Sequence, residues 1–450
     1  MISRRCPALI AITLAGLGLP LFAWGPHSEI TQAGIDALPP DAALFRSLGA
    51  ESKKLRDYCW MGDMRRSLRR EAEAWFYADD YLLFPGMTTH LDHICPEVKR
   101  TYEPYFRRAL QALRTESAVN ASRWTGAILH FTEDTGSPPH AAEIRGEVHS
   151  KMENWVDAKA IHIAGYQPQL LGHADNEAVA GFLRRMDGLI EFSKLRAERA
   201  KPFVLGGDRA ATEPIVLESA LETSRVVADL LFTLGELSTQ GARDGTALRG
   251  TVASSPAPGV EKLPAKVLLL GTPYATLADG LGRYEFQHMP PGTYQVSVLR
   301  AGNATATSEV TLATTGSSTL DFALPGDAGN LVRNGSFSVS WLSPGQCDAW
   351  YPVKHRLGGA FWEGELIPVI AGNRYRLQVG WQAHAQGQVT VQLLSKQGFA
   401  KPATPLKTLQ PGETEFVFLP SADSGYAQVL VYTSGSPGAL CSSIGLTPVP

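Results

Sequence analysis

From Trp24 to about Gln240, apolar residues recur at three- and four-residue spacing. The pattern is clearest in Val119–Phe131, Asn176–Ala200 and Glu213–Leu237, where β-branched runs are few. This period predicts amphipathic helices. Thr135-Gly136-Ser137-Pro138-Pro139 must end the helix before it, because proline supplies no amide donor and clashes with the preceding turn. Gly241 to Asp244 reads as a linker, and beyond it the period changes. Residues 248–326 alternate in short segments, as in Lys266–Leu270, Arg283–Phe286 and Tyr294–Leu299. Turn sequences such as Asp279-Gly280-Leu281-Gly282 and Pro290-Pro291-Gly292 separate them, which predicts a small β-sandwich. Residues 330–450 form a second β-rich block. At the start, Arg4 and Arg5 precede the apolar run Ala8 to Leu19, too short to span a bilayer, and Pro20 to Ala23 supplies a small-residue cleavage site. Residues 1–23 are therefore expected to be an export signal, followed by a helical domain at 24–243 and β-domains at 248–326 and 330–450. The fold class expected is a multidomain chain, all-α and then β.

A chain of 450 residues is long enough for two to four domains with their own cores. Its formal net charge of −3 provides no basic field, so no stable nucleic-acid complex is expected. A nuclease is not excluded, because a metal site can itself hold phosphate. No later segment is apolar enough to span a membrane. Of five cysteines, Cys6 would leave with the signal. The remaining even number, in a secreted or periplasmic protein, predicts two disulfides. The simplest pairing is Cys59–Cys95 and Cys347–Cys441, although other pairings satisfy the same arithmetic.

Histidine carries the candidate chemistry. Six of eleven lie between His27 and His149. His130 and Asp134 are four residues apart, one turn apart on one helix face, and His149 and Glu153 repeat the arrangement. Pro138-Pro139-His140 places another imidazole between them, just past a helix end. A single such pair arises by chance on many surface helices. Two pairs bracketing a third histidine make the imidazole–carboxylate set that Zn²⁺ prefers.

The segment His130-Phe131-Thr132-Glu133-Asp134-Thr135-Gly136-Ser137-Pro138-Pro139-His140-Ala141 resembles the His-x₃-Asp-x₅-His core of the zinc-dependent phospholipase C and single-strand-specific nuclease superfamily. His149-Ser150-Lys151-Met152-Glu153-Asn154-Trp155-Val156-Asp157 is similar to the His-x₃-Glu segment of bacterial phospholipases C. The resemblance covers about residues 24–240 and implies three Zn²⁺. It also implies that the mature chain begins at Trp24, whose amine and carbonyl oxygen would hold one ion with His27 and a shared Asp134. Asp63, His90, His130 and Asp134 would hold the second, and His140, His149 and Glu153 the third. His90-Leu91-Asp92-His93 offers two imidazoles, with His90 preferred and His93 set at the edge of the site. Asp63 is preferred over Asp80 as the early carboxylate, since a Cys59–Cys95 bridge would draw Asp63 and His90 together.

In the β-region, Gly282-Arg283-Tyr284-Glu285-Phe286 and Pro291-Gly292-Thr293-Tyr294 resemble the carboxypeptidase-regulatory, transthyretin-like sandwich family. Leu331-Val332-Arg333-Asn334-Gly335-Ser336-Phe337 looks like the opening of jelly-roll carbohydrate-binding modules. Trp341, Trp350, Trp362 and Trp381 are candidates for sugar stacking, with core packing the default.

The activity implied is hydrolysis of a phosphodiester by metal-activated water, with Asp63 orienting or deprotonating it. The His149–Trp155 segment favours a phospholipase C that releases diacylglycerol and a phosphorylated head group. Tyr77, Tyr81 and Phe84 are candidate aromatic walls. The Trp24–His27 interval is too short for the acidic residue that some choline-specific relatives carry there. The alternatives are a secreted nuclease giving 5′ nucleotides and a non-catalytic binding protein with structural zinc. The β-domains would add contact with a glycan or the cell surface.

Overall fold

The structure is a computed structural model, and it describes residues 24–60, 93–240, 246–254, 264–272, 274–326, 329–340, 347, 349–354, 360–396 and 403–449. The predicted signal at 1–23, Asp63, Asp80, His90, Tyr77, Tyr81, Phe84 and Trp341 lie outside the described residues.

The first half is helical. Helices α1 (His27–Asp36), α2 (Ala43–Leu48) and α3 (Leu55–Tyr58) precede α4 (Lys99–Thr115) and α5 (Ala118–Gly136). After them come α6 (Pro138–Ala141), α7 (Glu147–Asn154) and the long pair α8 (Asp175–Leu205) and α9 (Arg209–Ser238). The caps follow the sequence. Ser117 opens α5 by accepting the Asn120 amide, and Asp208 opens α9 by accepting the Ala211 amide.

Helix α5 runs through the centre of the domain. Trp124, Ala127, Ile128, Leu129 and Phe131 are fully buried, and so are Ser122, Thr125, Thr132 and Thr135. A polar residue inside a core requires a partner. Thr125, Thr132 and Thr135 each donate their hydroxyl to the carbonyl four residues back, at 2.7–2.9 Å. Glycine allows the closest approaches. A Cβ at Gly126 would collide with Tyr58, and one at Gly136 with the Thr223 side chain of α9. The Gly136 carbonyl accepts the Ser193 and Ser219 hydroxyls at 3.0 and 2.9 Å, which ties the end of α5 to α8 and α9. The prolines do end α5, as expected. They also start a new turn: Pro138 and Pro139 stand at the first positions of α6, where a missing amide costs nothing. His140 therefore lies within a short helix, not on a loop.

The second half is β. One sheet has the order β3 (Ala275–Leu277), β2 (Lys266–Leu269), β5 (Gly292–Leu299), β6 (Ala306–Leu312), all antiparallel. Facing it, β1 (Thr246–Ala253) pairs antiparallel with β4 (Arg283–Met289) and parallel with β7 (Gly316–Thr319) and β8 (Phe322–Ala323). Leu248, Val252, Val267, Leu269, Phe286, Val296 and Val298 fill the space between them. In the last block, β14 (Thr404–Leu409), β13 (Gln388–Ser395), β16 (Ser424–Tyr432), β10 (Ala360–Gly364) and β9 (Trp350–Lys354) form one sheet, with β11 (Ile367–Pro368) paired to β16. The order β15 (Glu415–Phe418), β12 (Arg374–Trp381), β17 (Cys441–Val449) forms the other. Buried ion pairs lie where the blocks meet. Arg108 and Glu116 meet at 2.6 Å where α4 and α5 touch the first sandwich, and Glu365 holds both Lys266 and Arg333.

One expectation changes here, and the core-packing default for two tryptophans holds. Among the described residues the structure holds no disulfide, where the cysteine count leads one to expect two; Cys59, Cys95, Cys347 and Cys441 are all buried. Cys59 turns its thiol back onto the Arg56 carbonyl of its own turn, at 3.2 Å. Burial pushes the Cys95 thiol to about 11 and the Cys441 thiol to about 12. The tryptophans Trp350 and Trp362 are buried, and their indole N–H groups donate to the carbonyls of Asn334 and Gly435. They pack the core and offer no sugar-stacking face. Among the described residues, no helix is long and apolar enough to cross a membrane.

Candidate metal centre

The candidate residues converge from five segments. Asp134 stands at the centre. Its Oδ2 lies 3.1 Å from His130 Nε2, one turn earlier on α5, and 3.0 Å from His93 Nδ1. The His130 and His93 nitrogens are 3.1 Å apart. The other oxygen, Oδ1, faces His27 Nε2 at 3.4 Å and His140 Nδ1 at 4.0 Å. A second cluster adjoins it. Glu153 Oε1 is 2.9 Å from His140 Nε2 and 3.1 Å from His149 Nε2. Trp24 is fully buried beside His27, with ring centroids 6.5 Å apart, and a Cβ at Gly25 would stand 3.7 Å from the Glu153 carbonyl.

The rings are held by their outer nitrogens. His130 Nδ1 bonds the Cys59 carbonyl at 2.9 Å, His140 Nδ1 the His93 carbonyl at 3.0 Å, and His149 Nδ1 the Ile144 carbonyl at 2.9 Å. A carbonyl can only accept, so each Nδ1 carries the proton and each Nε2 is left as a donor atom toward the carboxylates.

Charge concentrates where solvent is excluded. Burial opposes ionisation of Asp134, but the imidazoles that surround it outweigh burial. The close approach of the His130, His140 and His27 imidazoles holds its carboxyl well below the usual range. Burial likewise opposes protonation of His27, and Asp134 and Glu133 nevertheless hold it well above the ordinary imidazole value. His140 is raised by Asp134 and Glu153 against burial, and Glu153 is lowered by His140 and His149 against burial. The edge of the site is open: the His93 and His149 side chains are 21% and 13% exposed, whereas His27, His130 and Glu153 are sealed.

A divalent cation fits this donor set. His93, His130 and Asp134 form one group and His140, His149 and Glu153 another, with all donor atoms of a group within 4.8 Å of one another. Donors bound to one zinc at about 2.0–2.1 Å stand about 3.3 Å apart, close to the 2.9–3.1 Å separations within these groups. Among the described residues, His27 Nε2, Asp134 Oδ1 and Glu153 Oε2 are buried without a hydrogen-bond partner. Such atoms are costly unless something coordinates them.

The structure therefore brings together Trp24, His27, His130, Asp134, His140, His149 and Glu153, while Asp63 and His90 lie outside the described residues. His93 lies at the open edge of the site, where its ring touches both Asp134 and His130 and its carbonyl anchors His140. Sequence spacing could not separate His90 from a neighbour three residues on. Glu133 also belongs to the site: both its oxygens are engaged within it, and its only sequence signal is its place beside Asp134.

Residues 247–325 match the carboxypeptidase regulatory-like domain family. No curated protein matches the chain by sequence. Among solved structures, the alpha toxin of Clostridium absonum is 12% identical, with a TM-score of 0.37, over 64% of this chain and 98% of that one. The alpha-toxin of an avian strain of Clostridium perfringens is 13% identical, with a TM-score of 0.29, over 65% and 98%. A putative carbohydrate binding protein from Bacteroides uniformis is 14% identical, with a TM-score of 0.16, over 42% and 80%.

Proposed function

We propose that the helical domain is an exported, zinc-dependent phosphodiester hydrolase of the phospholipase C type. The observation that carries the reading is the convergence of His27, His93, His130, Asp134, His140, His149 and Glu153, with three Nδ1 atoms tied back to carbonyls and unpartnered donor atoms facing inward. Trp24 and His27 with Asp134 would hold one Zn²⁺. His130 and Asp134 would hold a second, with His93 joining the expected Asp63 and His90 as a candidate donor. His140, His149 and Glu153 would hold a third. When bound, the zinc ions would supply the surplus positive charge that phosphoryl oxygens require and acidify the attacking water.

The protein's own part is positional. Asp134 offers one oxygen to each of two donor clusters, so one buried carboxylate sets their separation. The sealed ring of His27, His130 and Glu153 excludes water from one side, while His93 and His149 line the open side where a phosphodiester enters. Asp63 is proposed as the group that orients or deprotonates the attacking water; normal turnover by a zinc-replete Asp63→Asn protein would remove it from that role. The His149–Trp155 segment supports a lipid substrate. Of the candidate stacking tryptophans described, Trp381 alone keeps partial exposure, so any glycan contact of the last domain is proposed there.

The test uses mature, zinc-loaded protein with phosphatidylcholine vesicles and single-stranded DNA in parallel, each with a chelator control. Chelator-sensitive release of phosphocholine without DNA cleavage is expected. Cleavage of DNA alone would move the protein to the nuclease branch. Zinc bound with neither activity would refute the hydrolase reading for both substrates.

A further inference from the structure

His27 differs from the other inward-facing imidazoles. The Nδ1 atoms of His130, His140 and His149 are anchored by neutral backbone carbonyls. His27 Nδ1 lies instead 2.6 Å from Glu133 Oε2, a carboxylate with no solvent exposure. The other oxygen of Glu133 accepts the Thr31 hydroxyl, and Thr31 stands one turn after His27 on α1. Both oxygens of Glu133 are thus occupied, so this carboxylate is not placed to coordinate an ion. Meanwhile His27 Nε2 and Asp134 Oδ1 are buried and 3.4 Å apart, without hydrogen-bond partners among the described residues. Consecutive acids of α5 face the two nitrogens of one ring, the first with both oxygens engaged and the second with Oδ1 left over. The ring has little freedom to turn: it stacks on His130, with centroids 4.8 Å apart, and meets the edge of Trp60 at 4.9 Å.

We infer that Glu133 is a positioning residue for metal binding by His27: it accepts Nδ1–H, fixes the tautomer, and reserves Nε2 for a divalent cation shared with Asp134. The inference rests on the zinc reading above. A carboxylate acceptor polarises the imidazole more than a carbonyl does, which strengthens Nε2 as a donor. Outer partners of this kind typically change metal affinity by roughly 10–100-fold. By holding Thr31 as well, Glu133 locks the helix that carries His27 to the helix that carries Asp134.

The experiment compares the full protein with its Glu133→Ala and Glu133→Gln variants. Zn²⁺ content and affinity are read by chelator competition, the visible spectrum is recorded with Co²⁺, and histidine ¹⁵N shifts report the His27 tautomer. Glu133→Ala is expected to lose roughly 10–100-fold in affinity at one site and to change the cobalt spectrum. Its metal-free circular dichroism should stay the same. Glu133→Gln keeps an acceptor but not its charge, and is expected to fall between the wild type and Glu133→Ala in affinity; wild-type affinity there counts against the inference. In the zinc-loaded wild type, the His27 proton is expected on Nδ1. A Glu133→Ala protein with wild-type affinity and cobalt spectrum overturns the inference alone, and so does a His27 proton on Nε2. Wild-type protein that binds no metal overturns the zinc reading with it. If Glu133→Ala does not fold, the wild-type tautomer and the Glu133→Gln affinity still decide.

Discussion

Glu153→Gln separates charge from shape in the second donor cluster. The side chain is sealed from solvent, its Oε1 contacts His140 Nε2 and His149 Nε2, and its Oε2 has no hydrogen-bond partner. Glutamine preserves the volume but removes the charge, and its amide group finds no acceptor at the Oε2 position. Without metal, the loss of a charge-assisted hydrogen bond costs about 1.5–3 kcal/mol. For a domain of this size that lowers the unfolding transition by about 3–12 °C. The sign of the pH dependence follows from the two partners. Glu153 is depressed, so its contribution is present above its unfolded value of about 4.3 and lost as pH falls through the lower folded value. His140 is raised, so its contribution is full below about 6.5 and lost as pH rises through the higher folded value. The deficit of the chelated variant should therefore be greatest between about pH 4.3 and 6.5 and smaller at pH 9. Thermal unfolding followed by circular dichroism, in chelator and in zinc, measures both effects. In zinc the variant also loses a ligand, so the stabilisation by added metal should shrink. A variant with wild-type zinc content and the same transition at pH 6 would refute the assignment of Glu153 to a charged, ligating role.

Three further outcomes are expected. Zinc competes with protons for His27 and His140, both raised in the metal-free protein, so its stabilisation should grow from pH 6 to pH 8; equal shifts at both values would count against those ligands. His93→Ala should lower bound zinc measured by elemental analysis, because the ring sits 3.0 Å from Asp134, and an unchanged metal content would remove His93 from the donor set. Glu116→Ala should destabilise by about 3–5 kcal/mol in urea unfolding, since it strands Arg108 in a dry interface, whereas Arg108→Met with Glu116→Leu should cost far less. Equal losses in the single and double variants would show that charge pairing is not what matters there.

Periodicity alone distinguished the helical half from the β half, because side chains that repeat every 3.6 or every 2 residues can be buried on one face only in the matching element. The pairs His130–Asp134 and His149–Glu153 were legible for the same reason: four residues are one helical turn, so local geometry brings the groups together whatever surrounds them. Contacts between distant segments were not legible. His93 reaches Asp134 across 41 residues of sequence, and Glu133 reaches His27 across 106, distances that only packing of whole helices can close. Cysteine parity predicted two bridges, yet pairing depends on where side chains point, and the Cys59 thiol faces its own turn. Aromatic content left Trp350 and Trp362 as candidate sugar platforms until packing against β-strands enclosed them. The local periods and turn residues determined which elements form. Tertiary packing decided which polar groups were drawn into the dry interior around α5, where an unsatisfied nitrogen or carboxylate oxygen is costly.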